Sequence, residues 1–216
     1  MPTTTPDRID FRQLCLRAVA YILLIAALME GVMMEAQRPI EQEFSELGFT
    51  EFTQTSLLVL ATGLALYTRF RYRQLEHVML LLAGLFGASL IREQDKWLDQ
   101  FVFDGAWQAL VTLLAVPLLT VVIRRRRAFV DEMASCSGTF AFGLFAAGFL
   151  TTYVFSRLFG RGELWQAMLA EGYVRVFKNA AEEVSEMFGY TLMVLAIVEL
   201  LLLIRRRVKA AGGATT

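Results

Sequence analysis

The chain has 216 residues, 56% hydrophobic and only 19% charged, with 21 Lys and Arg balancing 21 Asp and Glu. A soluble domain carries about 25% charged and 45–50% apolar residues, so the composition excludes an ordinary soluble enzyme, a disordered chain and a disulfide scaffold. Zero net charge gives no overall basic balance that would point to nucleic acid. Cys15 and Cys136 cannot build a disulfide framework, no Cys or His spacing resembles a zinc site, and the single His77 rules out bis-histidine haem ligation within one chain.

Met1 to Asp10 lacks the basic n-region and small-residue cleavage site of a signal peptide, so the first apolar block reads as a retained helix. A spanning helix needs about 20 mostly apolar residues to cross roughly 30 Å of hydrocarbon. Spans are predicted near 15–36, 52–70, 77–99, 106–123, 134–157 and 180–204. Lipid-exposed backbone must be satisfied internally, so these blocks are helices. The linkers are too short for a soluble domain. Residues 1–216 therefore read as a single integral membrane domain of the all-α class, a six-helix transmembrane bundle.

Fourteen of the 21 Lys and Arg cluster at one set of helix ends: Arg8, Arg12 and Arg17, then Arg69, Arg71 and Arg73, then Arg124–Arg127, then Arg205–Arg207 and Lys209. The positive-inside rule makes that side cytoplasmic, with both termini on it. The acids lie mostly at the opposite ends, leaving the outer side net negative by eight charges and the cytoplasmic side net positive by eight. The basic face suits anionic lipid.

The fifth span, Ala134 to Ser156, is uncharged and rich in small residues such as Gly143 and Ala147, the pattern of a central packing helix. Pro117 should bend or loosen the fourth. Between spans five and six, Gly162–Lys178 has apolar residues at helical spacing and an i,i+4 pair of Glu171 and Arg175, which reads as an amphipathic helix at the outer interface.

Ionisable residues inside spans are costly and point to function. Glu30 interrupts the first span and requires a proton or a cationic partner, Arg92 or Lys96 being the natural choices; Gly31 beside it permits close backbone approach, whereas Glu35 should reach water. The second span opens with Thr50 as a candidate N-cap, Glu51 in the first turn and Gln54 one turn deeper, which reads first as an interhelical hydrogen bond and second as a neutral oxygen ligand. In the third, the apolar stretch Val78–Ile91 is too short for the hydrocarbon, so Arg92, Glu93, Asp95 and Lys96 are carried to or below the outer interface. In the sixth, Asn179 and Glu182 have capping-box spacing, Glu183 suits a first helical turn, and Glu186 shares their face one turn on. Glu182 and Glu186 could together hold a hard divalent cation, Mg²⁺, Ca²⁺ or Mn²⁺. Glu199 should snorkel towards the cytoplasmic interface or pair with Arg206 one heptad on.

Glu51, the run Arg92-Glu-Gln-Asp-Lys and Glu182-Glu-x-x-Glu186 together resemble a group of uncharacterised bacterial polytopic inner-membrane proteins. The resemblance carries no activity; compactness and charge bias favour a bacterial inner membrane over an organelle. The Glu182-Glu183 pair invites comparison with CAAX-type intramembrane proteases, but Met187 stands where that pattern has Arg and the later histidines are missing. Alkaline-ceramidase-like hydrolases would also need several histidines. Three functions stay open: binding or transport of a cation, proton-coupled solute or amine in an outward-facing acidic cavity; a structural or accessory subunit of a membrane complex or homo-oligomer; and a carboxylate-metal enzyme acting on a lipid-linked or periplasmic substrate.

Overall fold

The computed structural model describes residues 10–37 and 48–213, with side chains to residue 211, and no strand occurs among them. Arg38, Glu41, Glu43 and Glu46 of the outer charge count lie outside the described residues. The helices are α1 (Phe11–Ala36), α2 (Phe49–Tyr72), α3 (Glu76–Glu93), α4 (Asp95–Phe101), α5 (Ala106–Arg124), α6 (Arg126–Ser137), α7 (Phe140–Leu150), α8 (Ser156–Phe159), α9 (Gly162–Leu169) and α10 (Arg175–Gly213). A π-helical turn, Thr151–Phe155, joins α7 to α8, and a 3₁₀ turn, Ala170–Gly172, follows α9.

Among the described residues four helical stretches are long and apolar enough to cross a membrane: Phe11–Ala36, Ala106–Arg124, Phe140–Phe159 and Arg175–Ala211. Helices also occupy the second and third predicted spans. They fall outside this group of four because Thr50, Glu51, Thr53, Gln54, Thr55 and Ser56 dilute the start of α2, and because α3 has only the short apolar run Val78–Ile91.

The third predicted span is broken rather than continuous. Gln94 leaves helical geometry at φ −100° and ψ 17°, so Arg92 and Glu93 end α3 while Asp95 and Lys96 open α4. At the other end of the chain α10 starts at Arg175, not at residue 180, and Arg175–Lys178 belong to it. Asn179 is therefore inside a helix, and Glu182 and Glu183 stand beyond the first turn, so neither the capping box nor the macrodipole accounts for them. Glu171, in the 3₁₀ turn, is on a different element from Arg175, which breaks the predicted pair. The predicted amphipathic helix is reduced to α9, closed off at Ala170 with φ +47°.

The packing helix is also different from the one the small residues suggest. The most apolar window of α10 is 78% buried, against 17% for Phe140–Phe159. A Cβ placed on Gly143 would meet nothing within 4 Å, whereas one on Gly189 of α10 would collide with Thr152 Oγ1 and lie 2.9 Å from the Gly148 carbonyl.

The Cα framework divides into two compact units. One comprises Met1–Gln54, Ala147–Thr191 and Leu202–Thr216; the other comprises Thr55–Ala146 and Leu192–Leu201. In the second unit α3 buries Val78, Met79, Leu82, Ala83, Phe86 and Ser89, a single stripe at helical spacing. Gly84 and Gly87 of α3 receive Leu118 and Leu114 of α5, close enough that an added Cβ would disturb both contacts. Pro117 sits inside α5 without ending it. α3 begins after a tight turn in which Arg73 and Leu75 both take positive φ. Glu132 of α6 fastens this start: its Oε2 accepts the His77 and Val78 backbone N–H groups at 2.8 and 2.9 Å, and its Oε1 lies 2.7 Å from His77 Nδ1.

In the first unit the Phe49 ring sits directly over Gly31 of α1, leaving no room for a Cβ there. Glu35, 1% exposed, accepts the Thr50 backbone N–H at 2.9 Å and the Thr50 hydroxyl at 2.5 Å. The cap of α2 is thus a carboxylate from α1, and Thr50 is the residue it caps.

Candidate functional site

The site is built where α8 and α10 face each other in the first unit. The π-helical turn sets it up. Ser156 N–H bonds the Thr151 carbonyl, five residues back rather than four, and the Ser156 hydroxyl bonds the Thr152 carbonyl at 2.5 Å. π-Turns insert an extra residue into a helix and are frequent at functional sites. Here the turn precedes Ser156 and Arg157, the two residues of α8 that reach α10.

Arg157 uses its guanidinium as a fork. Nη1 donates to Glu182 Oε1 and Nη2 to Glu186 Oε1, both at 2.6 Å. Lys178, one turn before Glu182, donates to its other oxygen at 2.7 Å. Ser156 Oγ lies 3.4 Å from Glu186 Oε1. Close approach of the elements depends on Gly160, where a Cβ would meet Glu182 at 2.8 Å. Glu186 is nearly sequestered at 5% exposure, while the Arg157 side chain remains 41% exposed. A deep carboxylate is therefore neutralised by a cation that itself reaches the surface.

Gln54, 1% exposed, donates from Nε2 to the Glu183 backbone carbonyl at 2.8 Å. This is an interhelical hydrogen bond, joining the start of α2 to the same turn of α10. Glu51 and Glu183 are partly buried. The structure thus brings Gln54 and Glu182–Glu186 into one neighbourhood, in which Arg157 pairs with Glu182 and Glu186 and Lys178 pairs with Glu182.

Glu30 is not part of it. It is exposed on α1, and the buried carboxylate of that helix is Glu35, five residues on and on another face. α1 is apolar nearly all round, so its sequence does not reveal which side packs. Glu199, expected to snorkel or to pair with Arg206, is 2% exposed, so it does not snorkel to the surface. Arg92, Glu93 and Asp95 belong to the second unit. There Arg92 pairs with Glu93 at 3.0 Å, Asp95 accepts the Lys96 backbone N–H at 2.6 Å, and Gln94 donates to Thr55 at 3.3 Å.

Sequence reasoning did not identify Arg157, Lys178, Ser156 or Glu35 as partners. The Lys178–Glu182 spacing was a readable signal once the helix is started at Arg175; Arg157 is distant in sequence, and only the fold joins it to Glu186. Among the described residues no group of three or more His, Cys, Asp or Glu has an arrangement that could hold a metal ion. Comparisons with family models, curated proteins and solved structures each returned no match.

Proposed function

We propose that this chain is a six-span bacterial inner-membrane protein, with both termini cytoplasmic, that binds or transports a small organic cation at the outer ends of its helices. The observation that carries this reading is the Arg157 fork: one partly exposed guanidinium holds two carboxylates, one of them almost fully buried. An incoming amine or guanidinium can replace that head group charge for charge and bond for bond, releasing Arg157 to solvent. The net negative outer side supports capture of a cation from outside. The engaged oxygens of Glu182 and Glu186 favour a nitrogen cation over Mg²⁺, Ca²⁺ or Mn²⁺, which need several oxygen ligands converging on one point.

A second reading, a charged lock within a structural or accessory subunit, is favoured by one detail: both oxygens of Glu182 are already occupied, by Arg157 and Lys178. Ligand binding separates the two. Purified protein in nanodiscs is titrated calorimetrically with methylammonium, tetramethylammonium, methylguanidinium and MgCl₂, alongside a folded Glu186→Gln variant. Saturable binding of one nitrogen cation that Glu186→Gln abolishes supports the cation site. Heat changes that are the same in both proteins support the lock.

A further inference from the structure

We propose that the basic end of α5 is a binding site for a phospholipid of the cardiolipin class, its two phosphates held by Arg124–Arg127 and an acyl chain lying along the outer face of the same helix. The four arginines occupy the junction of α5 and α6, where Arg125 leaves helical geometry at φ −103° and ψ 25°. With Ile123 and Ala128 they line a concavity of about 600 Å³. All four are exposed, and among the described residues none of their side chains has a hydrogen bond or ion pair. The acids nearest along α6 do not neutralise them: Asp131 forms no ion pair among the described residues, and Glu132 is engaged by His77.

Four guanidinium groups around one concavity call for an anion with more than one charge. Each is a planar fork that matches phosphate geometry, so two forks can serve each of two phosphates. The run contains no lysine, which would supply the charge without the fork.

The lipid source follows from α5 itself. Leu113, Val116, Leu119 and Ile123 lie on one side of this helix at spacings of three and four, and all are exposed, Leu113 to 73% and Ile123 to 65%. The stripe ends at Ile123, which also lines the concavity. A soluble phosphate compound gains nothing from this stripe, whereas a phospholipid places its headgroup among the arginines and its chain along the apolar residues.

Native mass spectrometry of the full chain, released from phosphatidylcholine nanodiscs doped with cardiolipin or with phosphatidylglycerol at matched phosphate, tests this directly. Wild type should retain one cardiolipin in preference to phosphatidylglycerol. The Arg124→Gln/Arg126→Gln/Arg127→Gln variant should lose at least about tenfold in retention, as expected for removing charge-assisted bonds. Arg69→Gln/Arg71→Gln should retain it, because those arginines lie over the Phe70 and Tyr72 rings in a separate basic cluster. The triple variant removes no intramolecular bond, so its unfolding midpoint should stay within about 2 °C of wild type. Equal cardiolipin retention by the triple variant would overturn the proposal. So would equal retention of phosphatidylglycerol, which would reduce the site to a charged surface, or full displacement of cardiolipin by millimolar inorganic pyrophosphate, which would indicate a soluble anion.

Discussion

Arg157 Nη2 lies 2.6 Å from Glu186 Oε1, joining a residue at the end of the fifth predicted span to one well inside the sixth. This bond decides whether the buried carboxylate is neutralised by the protein or left to a ligand. Removing Arg157 as Ala should destabilise the fold by roughly 2 kcal/mol, less than the ~3–5 kcal/mol of a fully buried pair because Arg157 is partly exposed. Adding Glu186→Gln to Arg157→Ala should recover part of that loss, since the stranded charge is then gone. A double-mutant cycle by denaturant unfolding in detergent checks this; strictly additive effects contradict the pairing.

The cap supplied by Glu35 gives a second expectation. Glu35→Ala removes the acceptor for two Thr50 hydrogens, so it should cost about 1–2 kcal/mol, with Thr50→Val adding little on top of it. Thermal unfolding of the two single variants and the double variant measures this non-additivity.

Glu132 should matter more than its histidine partner. Glu132→Ala loses the bonds to the His77 and Val78 backbones as well as the His77 ring contact, whereas His77→Ala loses only the ring contact. The expected costs are about 2 kcal/mol and under about 1 kcal/mol respectively. Hydrogen exchange at the start of α3 should rise in the first variant and stay near wild type in the second.

Two glycines should respond oppositely to alanine. Gly189→Ala drives a methyl group into Thr152 and the Gly148 carbonyl, so it should be destabilising by roughly 1–3 kcal/mol, with Thr152→Ala giving only partial relief because backbone atoms also crowd the site. Gly143→Ala meets open space and should be neutral or slightly stabilising through helix propensity. Both are read by thermal unfolding.

Much of the helical architecture is legible in the sequence, because apolar runs of about 20 residues are long enough to form helices of spanning length. Each of the six apolar blocks overlaps a helix, although the third breaks at Gln94 and the fifth, expected from Ala134, starts inside α6 and crosses the turn at Gly138 before α7, and Gly31 does meet a close neighbour. The errors have local causes. Arg175–Asn179 contains no proline or glycine to stop a helix, so α10 begins earlier than its apolar run. Conversely, nothing in Arg92–Lys96 advertises the break at Gln94. Of the small residues on α7, Gly148 does take part in a close approach, to Gly189 of α10, whereas Gly143 meets open space. Partners on other helices, Arg157 for Glu186 and Glu35 for Thr50, depend on which helices are neighbours, and a single chain read linearly does not contain that information.

In the proposed mode of binding, Glu182 and Glu186 hold an exchangeable cation, with Arg157 as its resident substitute. The most direct measurement is charge displacement on a solid-supported membrane carrying reconstituted protein, after a concentration jump in methylguanidinium or methylammonium. A saturable transient current is expected in wild type and not in folded Glu186→Gln protein. No current in wild type, or the same current in both proteins, would contradict it and leave the cluster as a lock between helices.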